Sequence, residues 1–410
     1  MGTFKDFLLT EAKNLHMTHL EDAVIDGGVN GTRNVILYLR ALRDMLAGNT
    51  SAAVSITTKW DGAPAIFAGI DPSDGRFFVA KKGVFNKNPK LYKSNEDIDN
   101  DLSGELNDKF KVALVEFSKL GIEGVVQGDF LYTSDDIKAQ NIDGEPHLTF
   151  HPNTIVYAIP VDSDLAKTIS RSKIGVVWHT TYRGADLESM SASFGKAIVP
   201  NLKKVSSVWN VDAVFEDKSG TATFTAQETK EFTALLSKAG SLFKTLKKDV
   251  LEGLYKDSEL NMRVNTFINS KVREGAPVGD PKSFVIGLRR FIDDYYNKEA
   301  SKRASPKGKQ TQVDKKNSVL SYFNKYKDKD IEKVFELYNM LVDAKHIVID
   351  KLNTVQGIKT LLKTSKGFEV TGQEGFVAID HTGKNVLKLV DRMQFSRANF
   401  SPDYIKGWQK

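Results

Sequence analysis

Cysteine is missing from all 410 residues. That absence excludes thiol nucleophiles, zinc–thiolate sites and disulfide scaffolds together, and it suits a reducing cytoplasm. No apolar run approaches the length of a membrane span, and no short apolar segment near the N-terminus reads as a signal peptide. Met1-Gly2 is followed by Asp6 where a myristoylation signal requires Ser or Thr. Neither charge sign dominates: 58 basic against 52 acidic residues leave a formal +6 and a pI near 9.0. That mild excess is compatible with a phosphate-bearing partner without demanding one. These absences predict a cytoplasmic protein with no membrane partner. What is present is a globular composition, 40% hydrophobic and 27% charged, over a length sufficient for two or three domains.

Apolar periodicity divides the chain into four stretches. Residues 1–50 read as helical: Phe4, Phe7, Leu8 and Ala12 share one face, and Val35, Ile36, Leu39, Leu42 and Leu46 recur at helical spacing. Residues 27–33 form a glycine-rich loop between the two, with Thr32 placed to cap the second helix and Gly48 following its end. Residues 51–225 carry short strands at 54–58, 65–69, 77–81, 124–132, 154–161 and 175–180, with a helix at 106–120 and a hairpin around Lys218-Ser219-Gly220. Residues 226–363 are a helical block, with helical patterns at 226–255, 258–272, 281–300, 313–326 and 331–355. Inside it, residues 300–316 are lysine-rich, poor in large apolar side chains and broken by Pro306 and Gly308, which reads as an exposed mobile loop. Residues 364–410 return to strands, at 368–371, 376–380 and 386–390. The predicted class is α+β: a sheet core whose last strands arrive after a large helical insertion or second domain. No internal repeat is visible.

The strands carry polar residues that a plain sheet does not need. Lys59-Trp60-Asp61-Gly62 is a lysine at the end of an apolar strand, running into an Asp-Gly turn and a second apolar segment. A lysine amine is a poor nucleophile at its ordinary pKa and needs a dry or cationic setting to be deprotonated. Lys81-Lys82-Gly83 ends another strand, and Gly128-Asp129 interrupts a third. Glu374-Gly375 opens Phe376-Val377-Ala378-Ile379. Lys388 lies between Leu387 and Leu389, so strand alternation points it away from both.

Taken in order, Lys-x-Asp-Gly, Lys-Gly, Gly-Asp, the Tyr-Ala-Ile of Tyr157–Ile159, Glu-Gly-Phe-Val and Leu-Lys-Leu resemble the motif series of the lysine-adenylating nucleotidyltransferases, the superfamily of polynucleotide ligases and mRNA capping enzymes. The match looks closest to ATP-dependent RNA and DNA ligases, in a phage-type member with an unusual insertion. It covers residues 54–180 and 368–392. The resemblance implies a nucleotidyltransferase antiparallel sheet core, ATP and Mg²⁺ as cofactors, and a nucleic acid with 5′-phosphate and 3′-hydroxyl ends as partner. It implies that Lys59 is the nucleophile that becomes lysyl-AMP, with Asp61 and Gly62 in the nucleotide-binding turn. Lys82 falls where the family has a basic residue near the ribose and the acceptor phosphate. Asp129 stands in the place of a family Glu that contacts the ribose or a metal. Tyr157 resembles the aromatic that stacks on the base, with Trp178-His179 as another candidate platform. Glu374 resembles the metal-supporting carboxylate, and Lys388 the lysine on the α-phosphate. The chemistry asks for these types, because a pentavalent phosphorus needs cations around it and Mg²⁺ prefers one or two carboxylates plus phosphate oxygens.

The chain departs from the family at Asp129, which replaces Glu, and at Val390, where a second lysine is usual. It also ends soon after Lys388, leaving no room for an appended oligonucleotide-binding barrel. The predicted reaction is Lys59 adenylation, AMP transfer to a 5′-phosphate and sealing by a 3′-hydroxyl. The alternatives are a nucleotidyltransferase that modifies RNA ends or a protein without sealing, and a non-catalytic nucleic-acid-binding or structural protein of the same fold. His16 and His19, followed by Glu21 and Asp22, read either as a metal or phosphate clamp or as surface and cap residues. The sequence fixes no third ligand, which favours the second. Residues 27–33 lack the Gly-Lys-Ser/Thr ending of a phosphate loop, so helix entry is their default reading.

Overall fold

The computed structural model describes residues 18–48, 54–214, 223–353, 358–380 and 386–409. The helix through Phe4 and Ala12, the hairpin around Lys218-Ser219-Gly220, and His16 lie outside them. Two short helical turns, Leu20–Asp22 and Ala23–Asp26, lead into helix α1 (Gly28–Leu46). Residues 27–33 are therefore not a loop. Gly31 lets the two helices meet, because a Cβ there would stand 2.3 Å from the Ala23 carbonyl oxygen. Thr32 lies inside the helix rather than at its cap, its hydroxyl donating to the Gly28 carbonyl at 2.7 Å.

The strand-rich region follows as β1 (Val54–Lys59), β2 (Ala65–Ile70), β3 (Phe77–Ala80), α2 (Gly104–Phe117), β4 (Val125–Thr133), β5 (Lys138–Ile142), β6 (Glu145–Phe150), β7 (Ile155–Pro160), α3 (Asp164–Arg171), β8 (Ile174–Arg183), β9 (Ser191–Phe194) and β10 (Val208–Asp212). Six helices come next: α4 (Ala226–Thr245), α5 (Lys248–Lys256), α6 (Ser258–Arg273), α7 (Pro281–Ser301), α8 (Pro306–Lys325) and α9 (Asp328–Leu352). The chain then re-enters the sheets at β11 (Lys359–Thr364), β12 (Gly367–Val370), β13 (Gly375–Asp380) and β14 (Val386–Leu389), and closes with α10 (Arg392–Phe400). Residues 300–316 are mostly helical, not a mobile loop. Ser305 caps α8 by accepting from the Gly308 amide at 3.1 Å, and Pro306 takes the first helical position, where its missing N–H would have no partner anyway.

The strands make three sheets: β1-β13-β14, a larger one of order β10-β8-β4-β2-β3 with β9 beside β8, and β12-β11-β7-β6-β5. The protein is thus mixed α and β with mainly antiparallel sheets; β10 runs parallel to β8. Strands formed after the six helices complete two of these sheets, β11 pairing with β7 and β13 with β1. The small sheet is one-sided. Ile56, Phe376, Ala378 and Leu389 are buried in the helical core with Leu39, Leu42, Leu236, Val250, Leu288 and Leu341. Alternation turns Thr57, Lys59, Val377 and Lys388 to the other face. Helix α2 covers the large sheet through Phe110 and Phe117 against Phe130 and Trp178. Among the described residues no helix is long and apolar enough to cross a membrane.

A buried ionic network ties the chain's two ends to the helical core. The Lys345 ammonium donates to both Glu21 oxygens at 2.8 and 2.9 Å, and both side chains are 1% exposed. Arg392, at the start of α10, donates to Asp22 at 2.6 Å and to the Tyr338 hydroxyl at 3.1 Å. Removing one partner of such a pair strands a charge in the interior. Lys345→Ala is expected to lower the unfolding free energy by about 3–5 kcal/mol. Glu21→Leu combined with Lys345→Met, which removes both charges, should recover most of that loss. Urea unfolding of the three proteins checks this, and a single variant within 1 kcal/mol of wild type would contradict it.

Candidate active site

Five of the predicted site residues, Lys59, Lys82, Asp129, Glu374 and Lys388, come together on the side of the small sheet away from the helical core. Lys59 is the last residue of β1 and pairs in register with Gly375. Its ammonium forms an ion pair with Glu374, the residue just before β13, and the two side chains are 25% and 10% exposed. Gly375 is required here: its φ is 148°, and a Cβ would stand 2.5 Å from Val390 Cγ2. Val390 itself is buried, so the position where the family usually has a second lysine faces packed backbone.

The Asp-Gly half of the motif acts on the architecture. Asp61 is buried, and its carboxylate accepts from Asn153 Nδ2, the Thr154 amide and the Ile155 amide, each at 2.6 Å. Its own amide donates to the Tyr157 hydroxyl at 2.7 Å. The turn after Lys59 is thereby fastened to the start of β7. Burial raises the Asp61 pKa, opposed by the bonds from Ile155, Thr154 and Asn153. Gly62 gives clearance: a Cβ there would lie 2.6 Å from the Cβ of Asp129. Asp61 and Gly62 were expected to bind nucleotide. Asp61 has its oxygens committed to protein N–H groups, and Gly62 serves to seat the lysine turn against Asp129.

Tyr157, expected to stack on the base, lies in the core instead. It is completely buried, with Trp60 at 5.1 Å on one side and Phe150 stacked at 5.2 Å. No ring face is left for a base. Trp178, the other candidate platform, is also fully buried. Both are core aromatics, as large rings on apolar strands commonly are.

Asp129 faces the site from β4. The ladder between β4 and β8 passes from Gln127 opposite Thr180 to Gly128 opposite Trp178, which leaves His179 unpaired in a bulge. Bulges re-aim a side chain, and here the His179 ring turns to Asp129, with Nε2 3.7 Å from the carboxylate. Its Nδ1 is hydrogen-bonded to Thr180 Oγ1 at 2.7 Å. Burial raises the Asp129 pKa, against the pull of His179, Lys59 and Lys82. Burial lowers that of His179, with Asp129 opposing and Lys59 reinforcing. Lys82 is exposed on the turn after β3, near enough for its charge to act on Asp129. Lys388 projects from β14, and burial followed by repulsion from Lys59 lowers its pKa, while Glu374 opposes.

Lys59, Lys82, Asp129, Glu374 and Lys388 thus share one electrostatic neighbourhood. His179, expected only as part of an alternative base platform, joins them instead as the neighbour of Asp129. Residues 14–404 match a family of unknown function, DUF6267. The chain belongs to that family. No curated protein and no solved structure matches it. Among the described residues no group of three or more His, Asp or Glu forms a metal cluster. The donor set suits an ion that takes only one or two carboxylates and completes its shell with phosphate oxygens and water. Asp129 is the better placed of the two carboxylates assigned to a metal, since Glu374 is engaged by Lys59.

Burial moves Glu374 from its ordinary 4.5 to about 7, with Lys59 opposing and Asp61 and Asp129 adding to the rise. A carboxyl that holds its proton more tightly when folded adds stability that is complete below its unfolded pKa. That stability is lost as the pH rises through the folded value. Glu374→Gln lacks this titration. Between pH 5 and pH 8 the wild type should therefore lose about 2–3 kcal/mol more unfolding free energy than the variant. Urea titrations of both proteins at the two pH values measure the difference, and parallel pH dependences would contradict it.

Proposed function

We propose that this chain is an ATP-dependent polynucleotide ligase acting through a lysyl-AMP on Lys59, on a core of the nucleotidyltransferase adenylation type. The observation that carries the reading is the meeting of Lys59, Glu374 and Lys388 on one small sheet, with Asp129 against the same turn. These residues are far apart in sequence, and they are the types that nucleotidyl transfer to a lysine needs. Glu374 touches the Lys59 ammonium and, with its proton affinity raised by burial, is the acceptor at hand for the proton that Lys59 must lose. The freed Nζ lone pair forms a bond to the α-phosphorus. The bond from that phosphorus to the bridging oxygen breaks, and its electron pair leaves with pyrophosphate. Lys388 compensates charge on the α-phosphate, and Asp129 would hold Mg²⁺, which supplies further charge compensation when bound. In the second step an oxygen of a 5′-phosphate attacks the adenylate, the P–N bond breaks and Lys59 recovers a proton. In the third, a 3′-hydroxyl attacks the activated phosphate and AMP departs. Lys82, exposed on the turn after β3 and near enough for its charge to act on Asp129, would meet the acceptor phosphate.

Incubation with Mg²⁺ and α-³²P-labelled ATP or GTP, followed by a denaturing gel, tests the covalent step. The wild type should carry label, Lys59→Ala none, and Lys388→Ala at least roughly tenfold less, as for removal of one charge-stabilising group. Nicked RNA and DNA then separate sealing from transfer alone. An unlabelled wild type with both nucleotides, in folded protein free of pre-bound AMP, would sink the proposal.

A further inference from the structure

β14 is not the outermost strand on its side of the small sheet. Thr18 and His19 run beside it: the Lys388 amide donates to the Thr18 carbonyl at 3.1 Å, and His19 stands opposite Lys388 in a parallel bridge. Residues opposite one another across strands share a face. The registers Thr57–Val377, Val377–Lys388 and Lys388–His19 therefore carry one row of side chains across the sheet. Lys59, two residues along from Thr57, belongs to the same face. Helices seal the opposite face; on this one Thr57 and Val377 are buried and the half-buried side chains are Lys388 and His19.

The far end of the row carries groups without partners. Among the described residues the Lys388 ammonium makes no hydrogen bond or ion pair, and His19 Nδ1 is buried with no hydrogen-bond partner. Burial, and after it the cationic charges of Arg392, Lys345, Lys388 and Lys59, push the His19 pKa down to about 2. Asp22 and Glu21 match Arg392 and Lys345; nothing comparable matches Lys388. A neutral imidazole and a free ammonium side by side can offer hydrogen bonds to an anion with several oxygens. Three strand spacings of about 4.8 Å separate His19 from β1, roughly 14 Å. That exceeds one phosphate and suits a polyphosphate that begins at Lys59.

We propose that His19, with Lys388 beside it, holds the β- and γ-phosphates of the nucleoside triphosphate, so that pyrophosphate departs along the Thr18–His19 edge. The assignment rests on the adenylation reading for the identity of the ligand. Lys59 Nζ bonds to the α-phosphorus, the bridging P–O bond breaks, and its electrons leave with the pyrophosphate that His19 has positioned. His19 is thus a positioning residue for the leaving group.

Calorimetric titration with inorganic tripolyphosphate, pyrophosphate and AMP, each with Mg²⁺, tests the site without turnover. His19→Ala is expected to weaken tripolyphosphate and pyrophosphate at least tenfold while leaving AMP unchanged, and His19→Asn should restore part of the loss. Lys388→Gln should weaken the same two ligands and, through its place at the α-phosphate, AMP too; unchanged tripolyphosphate binding in it would overturn the inference even if His19→Ala does not fold. On labelled protein, pyrophosphate-driven release of AMP should slow by a similar factor in His19→Ala, with transfer to an acceptor end unchanged. Tripolyphosphate bound equally by folded wild type and His19→Ala, or by neither, would overturn the inference. If Lys59 takes no label while His19→Ala abolishes tripolyphosphate binding, the adenylation reading falls and the polyphosphate site stands.

Discussion

The pairing of β1 with β13 is the constraint on which the site depends. It joins residues from opposite sides of the helical insertion and places Lys59 opposite Gly375, with Glu374 alongside. Its register is fixed by burial. Ile56, Phe376 and Ala378 all face the helical core, and a slip by one residue would turn them to solvent and drive Lys59 inward. The same apolar contacts that stabilise the sheet therefore set the position of the charged groups on its other face. Closing so long a loop has an entropic cost that grows only slowly with length. The intervening helices fold onto the face that the pair must bury, so the insertion supports the pairing.

Two further devices bring the second half of the site into range. One is backbone clearance. Gly62 and Gly375 each sit where a Cβ would overlap a neighbour, Asp129 in one case and Val390 in the other. The other is the bulge in β8, which removes His179 from the ladder and turns it to Asp129. Asp61 holds the turn rigid by accepting three hydrogen bonds from the residues that open β7. Three of the four residues in Lys59-Trp60-Asp61-Gly62 are thus structural: Trp60 packs on Tyr157, Asp61 anchors and Gly62 makes room. The lysine is what they present.

Strands with continuous apolar runs, such as β2, β4, β7 and β8, were legible in the sequence because burial on both faces writes itself into composition. β5, with its Lys138-Ala139-Gln140-Asn141-Ile142, was not, because an edge strand of a sheet need bury only one residue in it. Residues 300–316 misled for a different reason. Pro306 and Gly308 break helices in mid-run, yet at a capped N-terminus they are tolerated, and only the Ser305 cap distinguishes the two cases. Among the candidate site residues, the charged ones on or beside apolar strands were legible as residues that a plain sheet does not need. The roles of Asp61 and Tyr157 were not, because a carboxylate bonded to backbone amides and a carboxylate free to meet a ligand look alike in sequence. His19 was passed over as surface because its pairing with Lys388 spans almost the whole chain.

The site's electrostatics follow from partial burial acting on groups of both signs. Burial leads in every case: it raises Glu374 and Asp129 and lowers Lys388, His179 and His19. Each group is pushed toward its neutral form, while mutual attraction between Lys59 and the carboxylates resists. Burial and charge thus oppose one another within the cluster, so its charge state responds to anything that enters. A polyphosphate brings negative charge to the Lys388–His19 end of the row. That favours the ammonium on Lys388 and disfavours ionised Glu374, the group in contact with Lys59. In the proposed adenylation, an anion arriving at one end of the sheet would thereby strengthen the hold of Glu374 on a proton at the other, the proton that Lys59 would give up.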